Sequence, residues 1–248
     1  MKHLTILFFL ATNLCYGQQD ISLNAQNAFD RAEYEDAFAL FTAAAEEHIR
    51  EDEPVAYVQC NLMMAECKVL MGEPYEGNQL AENTIAYLDR YFPEQNIVRG
   101  QALTLQGRAF LNLGRYDLAL EYLEKARTLL GNEKTLELAQ CLNDLGVVHL
   151  YSGNFELSRQ NLEQSLSIRR TILSSTDLPI GDSFNNLGLF HQETDNPLQA
   201  LIFYNRAKKI YEDKYGIDHP KTVLVSNNLA FAYASQGEFD EALNLANE

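Results

Sequence analysis

The sequence predicts an all-α solenoid of antiparallel helix hairpins, and three observations carry that prediction. Tryptophan is absent, and Pro and Gly number only 6 and 13 in 248 residues while Ala, Leu, Glu and Asn abound, as in helical chains. The clusters Leu142-Asn143-Asp144-Leu145-Gly146, Phe184-Asn185-Asn186-Leu187-Gly188 and Ser226-Asn227-Asn228-Leu229-Ala230 follow one another at intervals of 42 residues. Around them, small and apolar residues recur at the i, i+3, i+4, i+7 spacing of one helical face, broken by short turns.

From the N-terminus, Lys2 and His3 precede an apolar run from Leu4 to Leu14, followed by Cys15-Tyr16-Gly17 and the polar Gln18-Gln19-Asp20. This order predicts a secretory signal peptide over 1–17, cleaved after Gly17. The 11-residue run is short of the ~20 residues of a membrane span. Lipidation at Cys15 is the alternative, although Leu14 stands where such sites want a small residue. The chain is therefore expected to be exported, to the periplasm or beyond, with no transmembrane segment.

Six units are then expected to tile 18–248, as 18–56, 57–98, 99–138, 139–179, 180–221 and 222–248, the last incomplete. Their register follows backward from Gly146 through Gly107, Ala65 and Ala25, at steps of 39, 42 and 40 residues. The fourth unit shows the pattern best. Leu142, Leu145, Gly146 and His149 form the packed face of a first helix, and Ser152-Gly153-Asn154 breaks it, Gly153 permitting a left-handed backbone. Phe155, Ser158, Leu162 and Ser165 then line the second helix, in slots held by Tyr116, Ala119, Leu123 and Ala126 in the third unit and by Phe239 and Ala242 in the sixth. Small side chains there let two helices approach closely.

In the second unit Gly72-Glu73-Pro74-Tyr75 carries the turn, and the helix after it is expected to slip by about one residue, with Asn78 or Gln79 in the small slot. In the fifth, Asn196 is the expected N-cap with Pro197 at the first helical position. Pro54, Pro179 and Pro220 are predicted to mark starts of first helices.

These recurring slots resemble the tetratricopeptide repeat. The long period and the stretch Tyr211-Glu212-Asp213-Lys214-Tyr215-Gly216-Ile217-Asp218-His219-Pro220, leading to Asn227-Asn228-Leu229-Ala230-Phe231-Ala232-Tyr233, are most similar to the kinesin-light-chain-like variety, here in an exported bacterial form. The resemblance covers residues 18–248 and implies a right-handed superhelix that binds a protein or peptide without catalysis. It also implies an alternative, since similar bacterial repeats precede a CHAT-type cysteine peptidase domain or a membrane-linked sensor kinase: the regulatory part of a longer enzyme or sensor. A structural spacer or oligomer without a groove ligand is the second alternative.

Nothing in the sequence points to a catalytic, cofactor or metal site. A net charge of −16 opposes phosphate backbones and anionic lipid, which argues against nucleic acid. No nucleophile elbow, phosphate loop, zinc motif or dinucleotide fingerprint occurs. His149 and His191 are 42 residues apart, but Phe110 and Tyr233 hold the same slot, so both histidines read as aromatic-sized packing residues. The mature chain keeps three cysteines; Cys60 and Cys67, seven apart on one helix, would lie ~10.5 Å apart, too far to bridge, and all three read as buried small residues.

The remaining candidate is the concave face. At 100° per residue, Gln140, Asn143, Val147, Leu150 and Tyr151 lie opposite the packed face of the fourth unit. The matching positions are Gln101, Thr104, Arg108, Leu111 and Asn112; Asp182, Asn185, Leu189, Gln192 and Glu193; and Leu224, Asn227, Phe231, Ala234 and Ser235. Amide rungs at Asn143, Asn185 and Asn227 could pair with an extended peptide backbone, because asparagine both donates and accepts. They could equally hold neighbouring units together, with Asn186 and Asn228 serving the same end. Asp182 and Glu193 favour a neutral to basic partner, and Arg108 is the one matching basic residue, too few for a carboxylate clamp. Phe231, Tyr233, Leu243 and Leu245 are expected to be poorly covered and to allow self-association through the sixth unit.

Overall fold

The computed structural model describes residues 18–246, with side chains from 21 to 245. The expected signal peptide lies outside the described residues. Twelve helices pair into six antiparallel hairpins: α1 (Gln18–Asp30) with α2 (Tyr34–Arg50), α3 (Pro54–Leu70) with α4 (Pro74–Tyr91), and α5 (Asn96–Asn112) with α6 (Tyr116–Leu130). The series continues with α7 (Leu136–Tyr151) and α8 (Phe155–Ile172), α9 (Leu178–Glu193) and α10 (Pro197–Tyr215), and α11 (Pro220–Ser235) and α12 (Phe239–Ala246). From α3 onward, successive first helices also pack against one another, so α3, α5, α7, α9 and α11 line the inner surface of a right-handed superhelix. Among the described residues no helix is long and apolar enough to cross a membrane.

Local chemistry sets the helix ends. Pro54 and Pro220 open α3 and α11, and Pro179 is the second residue of α9. Asn196 caps α10, its side chain accepting the backbone N–H of Gln199 at 3.4 Å. At the hairpin turn of the fourth unit, Gly153 takes φ +76° and the N–H of Asn154 donates to the carbonyl of His149 at 2.8 Å, closing the turn by a five-residue return bond. The expected unit boundaries fall two or three residues inside α3, α5, α7, α9 and α11. A repeat alignment sets the phase of the period, whereas caps and prolines decide where a helix begins.

Within a hairpin the two backbones nearly touch. A Cβ on Gly146 would lie 2.6 Å from Leu162 Cγ, and both residues are packed in the inter-helix core. Four clusters of buried side chains run along the solenoid; Leu123 and Leu145 belong to the one in the middle and Leu162, Tyr204 and Leu229 to the one toward the C-terminus. The expected slip in the second unit does not occur. Pro74 holds the aromatic slot and Gly77, three residues on, the small slot, where a Cβ would meet Val69 Cγ2 at 2.6 Å and the Ala65 carbonyl at 2.8 Å. Tyr75 points outward at 70% exposure, and Asn78 accepts a hydrogen bond from Gln106 Nε2 at 3.1 Å across the unit boundary. The proline at the first helical position fills the slot itself, and the aromatic, one residue later, turns out to solvent while the helix keeps its register.

At the sixth unit Phe231, Phe239 and Leu243 are exposed, whereas Tyr233 and Leu245 pack partly against the last core cluster. Among the described residues Cys60, Cys67 and Cys141 are buried and unpaired, and burial pushes the thiols up to about 11 for Cys60 and about 12 for Cys67 and Cys141.

Gly77→Ala should therefore destabilise the chain by about 1–3 kcal/mol, the overpacking cost exceeding the gain in helix propensity. Tyr75→Ala should stay within about 0.5 kcal/mol of the parent. Urea unfolding of both variants checks the register: the opposite order would restore the one-residue slip.

Candidate binding groove

The inner face of the superhelix carries a continuous chain of polar side chains, one to three from each of the first helices α3 to α11. Arg108 on α5 pairs with Glu66 on α3 and, at 3.2 Å, with Asp144 on α7. Asp144 also accepts from Gln140 Nε2 at 2.9 Å and Asn143 Nδ2 at 3.3 Å. Asn186 on α9 donates to Asn143 Oδ1 at 3.1 Å, Asn185 donates to Asn186 Oδ1 at 3.3 Å, and Asn228 on α11 donates to Asn185 Oδ1 at 3.2 Å. Five first helices are thereby stitched together by alternating charge pairs and amides.

The charges in this chain are matched internally. Burial alone would lower the proton affinity of Arg108, but Asp144 and Glu66 outweigh it and hold the guanidinium well above its ordinary value. Asp182 accepts from Lys221 Nζ and from the Tyr211 hydroxyl, each at 2.8 Å. Burial works against its negative charge, yet Lys221, Arg169 and the Tyr211 hydroxyl keep it below the usual carboxylate range. Behind the wall, Arg169 of α8 is 1% exposed and donates to the Pro179 carbonyl at 2.7 Å, to Ser183 Oγ at 2.8 Å and to Gln140 Oε1 at 2.7 Å. Burial lowers its proton affinity, while Asp182 and Asp144 supply the opposing attraction.

These side chains form one wall of a cavity of about 230 Å³. Its polar wall holds Arg108, Gln140, Asn143, Asp182, Asn185 and Asn186. The far side is closed by Phe29 and Tyr34 of the first hairpin and by Tyr215, His219 and Lys221 at the α10–α11 corner. The superhelix has turned far enough for its first hairpin to line one cavity with its fifth and sixth.

Of the concave-face positions, twelve are the candidates for peptide contact, Gln101, Thr104, Arg108, Asn112, Gln140, Asn143, Tyr151, Asp182, Asn185, Gln192, Glu193 and Asn227, and five of these, Arg108, Gln140, Asn143, Asp182 and Asn185, line the cavity. The other seven do not. Thr104 is buried, its hydroxyl donating to the Gly100 carbonyl at 2.8 Å. Gln101 bridges to Glu137 at 3.3 Å. Asn112, Tyr151, Gln192 and Glu193 occupy the last turns of α5, α7 and α9, at the hairpin edge; Tyr151 stacks on Tyr116 and Gln192 accepts from the Tyr204 hydroxyl at 3.2 Å. Asn227 is exposed, and Asn228 carries the amide chain into the sixth unit in its place. A helical wheel assigns half a cylinder to the groove, but a helix flanked by its own partner and two neighbours leaves only a narrow stripe open.

Sequence reasoning missed Glu66, Asp144 and Lys221 and the four rings of the far wall. The signal for the first pair was present, because Glu66 and Arg108 stand 42 residues apart in one repeat column with opposite charge. His149 and His191 pack as expected: His191 stacks flat on Phe203 at 5.3 Å, as Phe110 does on Tyr122 at 5.2 Å, and burial lowers the proton affinity of both histidines.

The tetratricopeptide repeat profile matches residues 99–171 and 180–248. Kinesin light chain-related proteins 3 and 2 of Arabidopsis thaliana are 25% and 26% identical over 136 and 138 residues. Those segments cover 54% and 55% of this chain but 21% of each relative, so the likeness spans about a fifth of the plant proteins. Among solved structures, BtubC (BKLC) from P. vanneervenii superposes with a TM-score of 0.66 at 18% identity, covering 86% of this chain and 88% of that one. The apo form of the quorum sensor NprR from B. thuringiensis also gives 0.66, at 14% identity, covering 93% of this chain and 63% of that one. At these identities the superpositions speak for the shared solenoid alone. With more than half its length inside the profile and its described helices paired hairpin by hairpin, the chain belongs to the tetratricopeptide repeat family, and its repeats are similar to those of the kinesin light chain-related proteins.

Proposed function

We propose that the chain is a non-catalytic scaffold that holds an extended segment of a partner protein against the polar wall of its concave groove. The observation that carries this reading is the hydrogen-bond arithmetic of the amide chain. Asn143, Asn185 and Asn186 each use one N–H and one oxygen lone pair within the chain. Each amide has two of both, so every rung retains a donor and an acceptor, the pair that a peptide unit offers in return. The wall can thus be structural and receptive together.

The groove's own charges select the partner's chemistry. Arg108 is committed to Glu66 and Asp144, which leaves no free cation to clamp a terminal carboxylate, and Asp182 is matched by Lys221. A segment neutral along the rungs, with basic residues meeting the acidic outer surface, suits this arrangement. The envelope or the exterior is the proposed place of action, on the strength of the pattern in residues 1–17. A second reading has its own observation: Phe231, Phe239 and Leu243 are exposed together at the sixth unit, which suits end-to-end association.

A photoreactive residue at Gln140 or Asn185 should cross-link a partner protein in the native cell, and one at the exposed Glu163 of α8 should not; cross-links from Glu163 alone would refute groove binding. Intact-mass measurement on protein from the native envelope should show loss of residues 1–17, and a full-length cytoplasmic species would refute export. Sedimentation should show a concentration-dependent dimer that Leu243→Glu abolishes, if the sixth unit associates; a strict monomer removes that second reading.

A further inference from the structure

We infer that the cavity of about 230 Å³ admits one side chain of the bound segment and selects an uncharged carboxamide, asparagine or glutamine. This selection presupposes the groove reading above and adds the residue that the groove prefers. Three properties of the cavity point to it: its size, its balance of charge and the unspent hydrogen-bonding capacity of its amides.

The space is too small for a helix, whose girth alone is ~10 Å, but takes one side chain with the stretch of extended backbone that carries it. Its two sides differ in chemistry. Opposite the polar wall stand two aromatic pairs, one from the first hairpin and one from the α10–α11 corner. Phe29 and Tyr34 meet edge to face with centroids 5.5 Å apart, and Tyr215 and His219 stack at 3.9 Å with planes 16° from parallel. Flat groups are what such a surface covers best.

The charges lining the cavity cancel. Its carboxylates are Glu66 and Asp182 and its cations Arg108 and Lys221, and they pair off, Arg108 with Glu66 and Lys221 with Asp182 at 2.8 Å. Just behind the wall, the buried Asp144 and Arg169 add one charge of each sign. Burial raises the proton affinity of the Tyr34 and Tyr215 phenols and lowers that of His219, so all three are uncharged near neutral pH. A carboxylate or an ammonium entering here would surrender its hydration without meeting a free counter-charge.

An apolar side chain fails for the opposite reason. Gln140 donates to Asp144 at 2.9 Å and accepts from Arg169 at 2.7 Å, which leaves it one N–H and one lone pair, the same remainder that Asn143, Asn185 and Asn186 keep. A hydrocarbon would strip water from these groups and return nothing. A hydroxyl returns a single hydrogen. A carboxamide carries two N–H groups and a carbonyl in one plane, so its edge answers a donor and an acceptor of the wall together while its face lies on the rings. Amide-to-amide pairing of this kind already runs along the wall from Asn143 to Asn228.

A phage-displayed library of random peptides, panned on the full chain, should enrich a consensus with one near-invariant Gln or Asn. In a synthetic peptide of that consensus, exchanging this residue for Glu, Lys or Leu should each weaken binding by about 10- to 100-fold in calorimetry. Two variants of the protein should move the preference in opposite directions. Lys221→Met leaves Asp182 without its cation and should shift the selected residue to Lys or Arg; Glu66→Gln leaves Arg108 with Asp144 alone and should shift it to Asp or Glu. Each variant keeps a second partner for the group it uncovers, the Tyr211 hydroxyl for Asp182 and Asp144 for Arg108, and the peptide series on the parent decides the matter should either lose its cooperative melt. An invariant residue that is charged, hydroxylic or apolar, or a carboxamide preference that folded Lys221→Met and Glu66→Gln leave unchanged, overturns the selection while groove binding stands. A library that enriches nothing, or consensus peptides captured by a photoreactive residue at Glu163 but not at Gln140, would remove groove binding itself and this selection with it.

Discussion

Everything in this chain depends on how closely two helix backbones approach inside each hairpin. Where the first helix carries Gly146 or Gly188, the second presents Leu162 or Tyr204 into the space a Cβ would fill, 2.6 and 2.5 Å away. Such an approach brings the helices near enough that hairpins stack with little rotation between them, and the sum of those rotations curves the solenoid. Curvature in turn decides which side chains share the inner surface. The polar groove is thus a consequence of what is missing from the seam.

That inner surface would be a liability if its polar groups were left to themselves. Asn143, Asp144 and Gln106 are buried, and an unpaired buried amide or carboxylate costs about 1–3 kcal/mol or more. Linking them in series solves this, since each group's partner is contributed by the next unit. The arrangement also makes neighbouring units interdependent: removing Arg108 would leave Glu66 and Asp144 facing each other, a situation worth about 3–5 kcal/mol in comparable buried pairs. Stability and the proposed binding surface would therefore draw on the same atoms. A partner segment that engaged the rungs would complete bonds the scaffold leaves half used.

The hairpins were legible in the sequence because the period repeats six times and because Gly153 and Pro220 each have one physical reason to stand where they do. The second unit was misread since Pro74, which lacks an aromatic ring, occupies an aromatic slot, and only the packing of Gly77 reveals the register. Among groove residues, Arg108, Asn143 and Asn185 could be found from helical phase alone. Phe29, Tyr34, Tyr215 and His219 could not, because their proximity comes from accumulated superhelical turn over five units, a quantity no local pattern encodes. Asn228 displaced Asn227 from the chain for a related reason: two adjacent asparagines are equivalent to a repeat alignment and 100° apart on a helix.

The narrow gap between the first hairpin and the α10–α11 corner has a consequence for how the chain unfolds. An open solenoid behaves as a one-dimensional array in which each unit is held only by its neighbours, so it frays from either end. Here the first hairpin and that corner line one cavity, yet no extensive helix packing joins α1 or α2 to α10 or α11. The array remains a line. Loss of the first hairpin therefore costs its packing on α3 and bares one side of the cavity, while the interior units keep both of their neighbours.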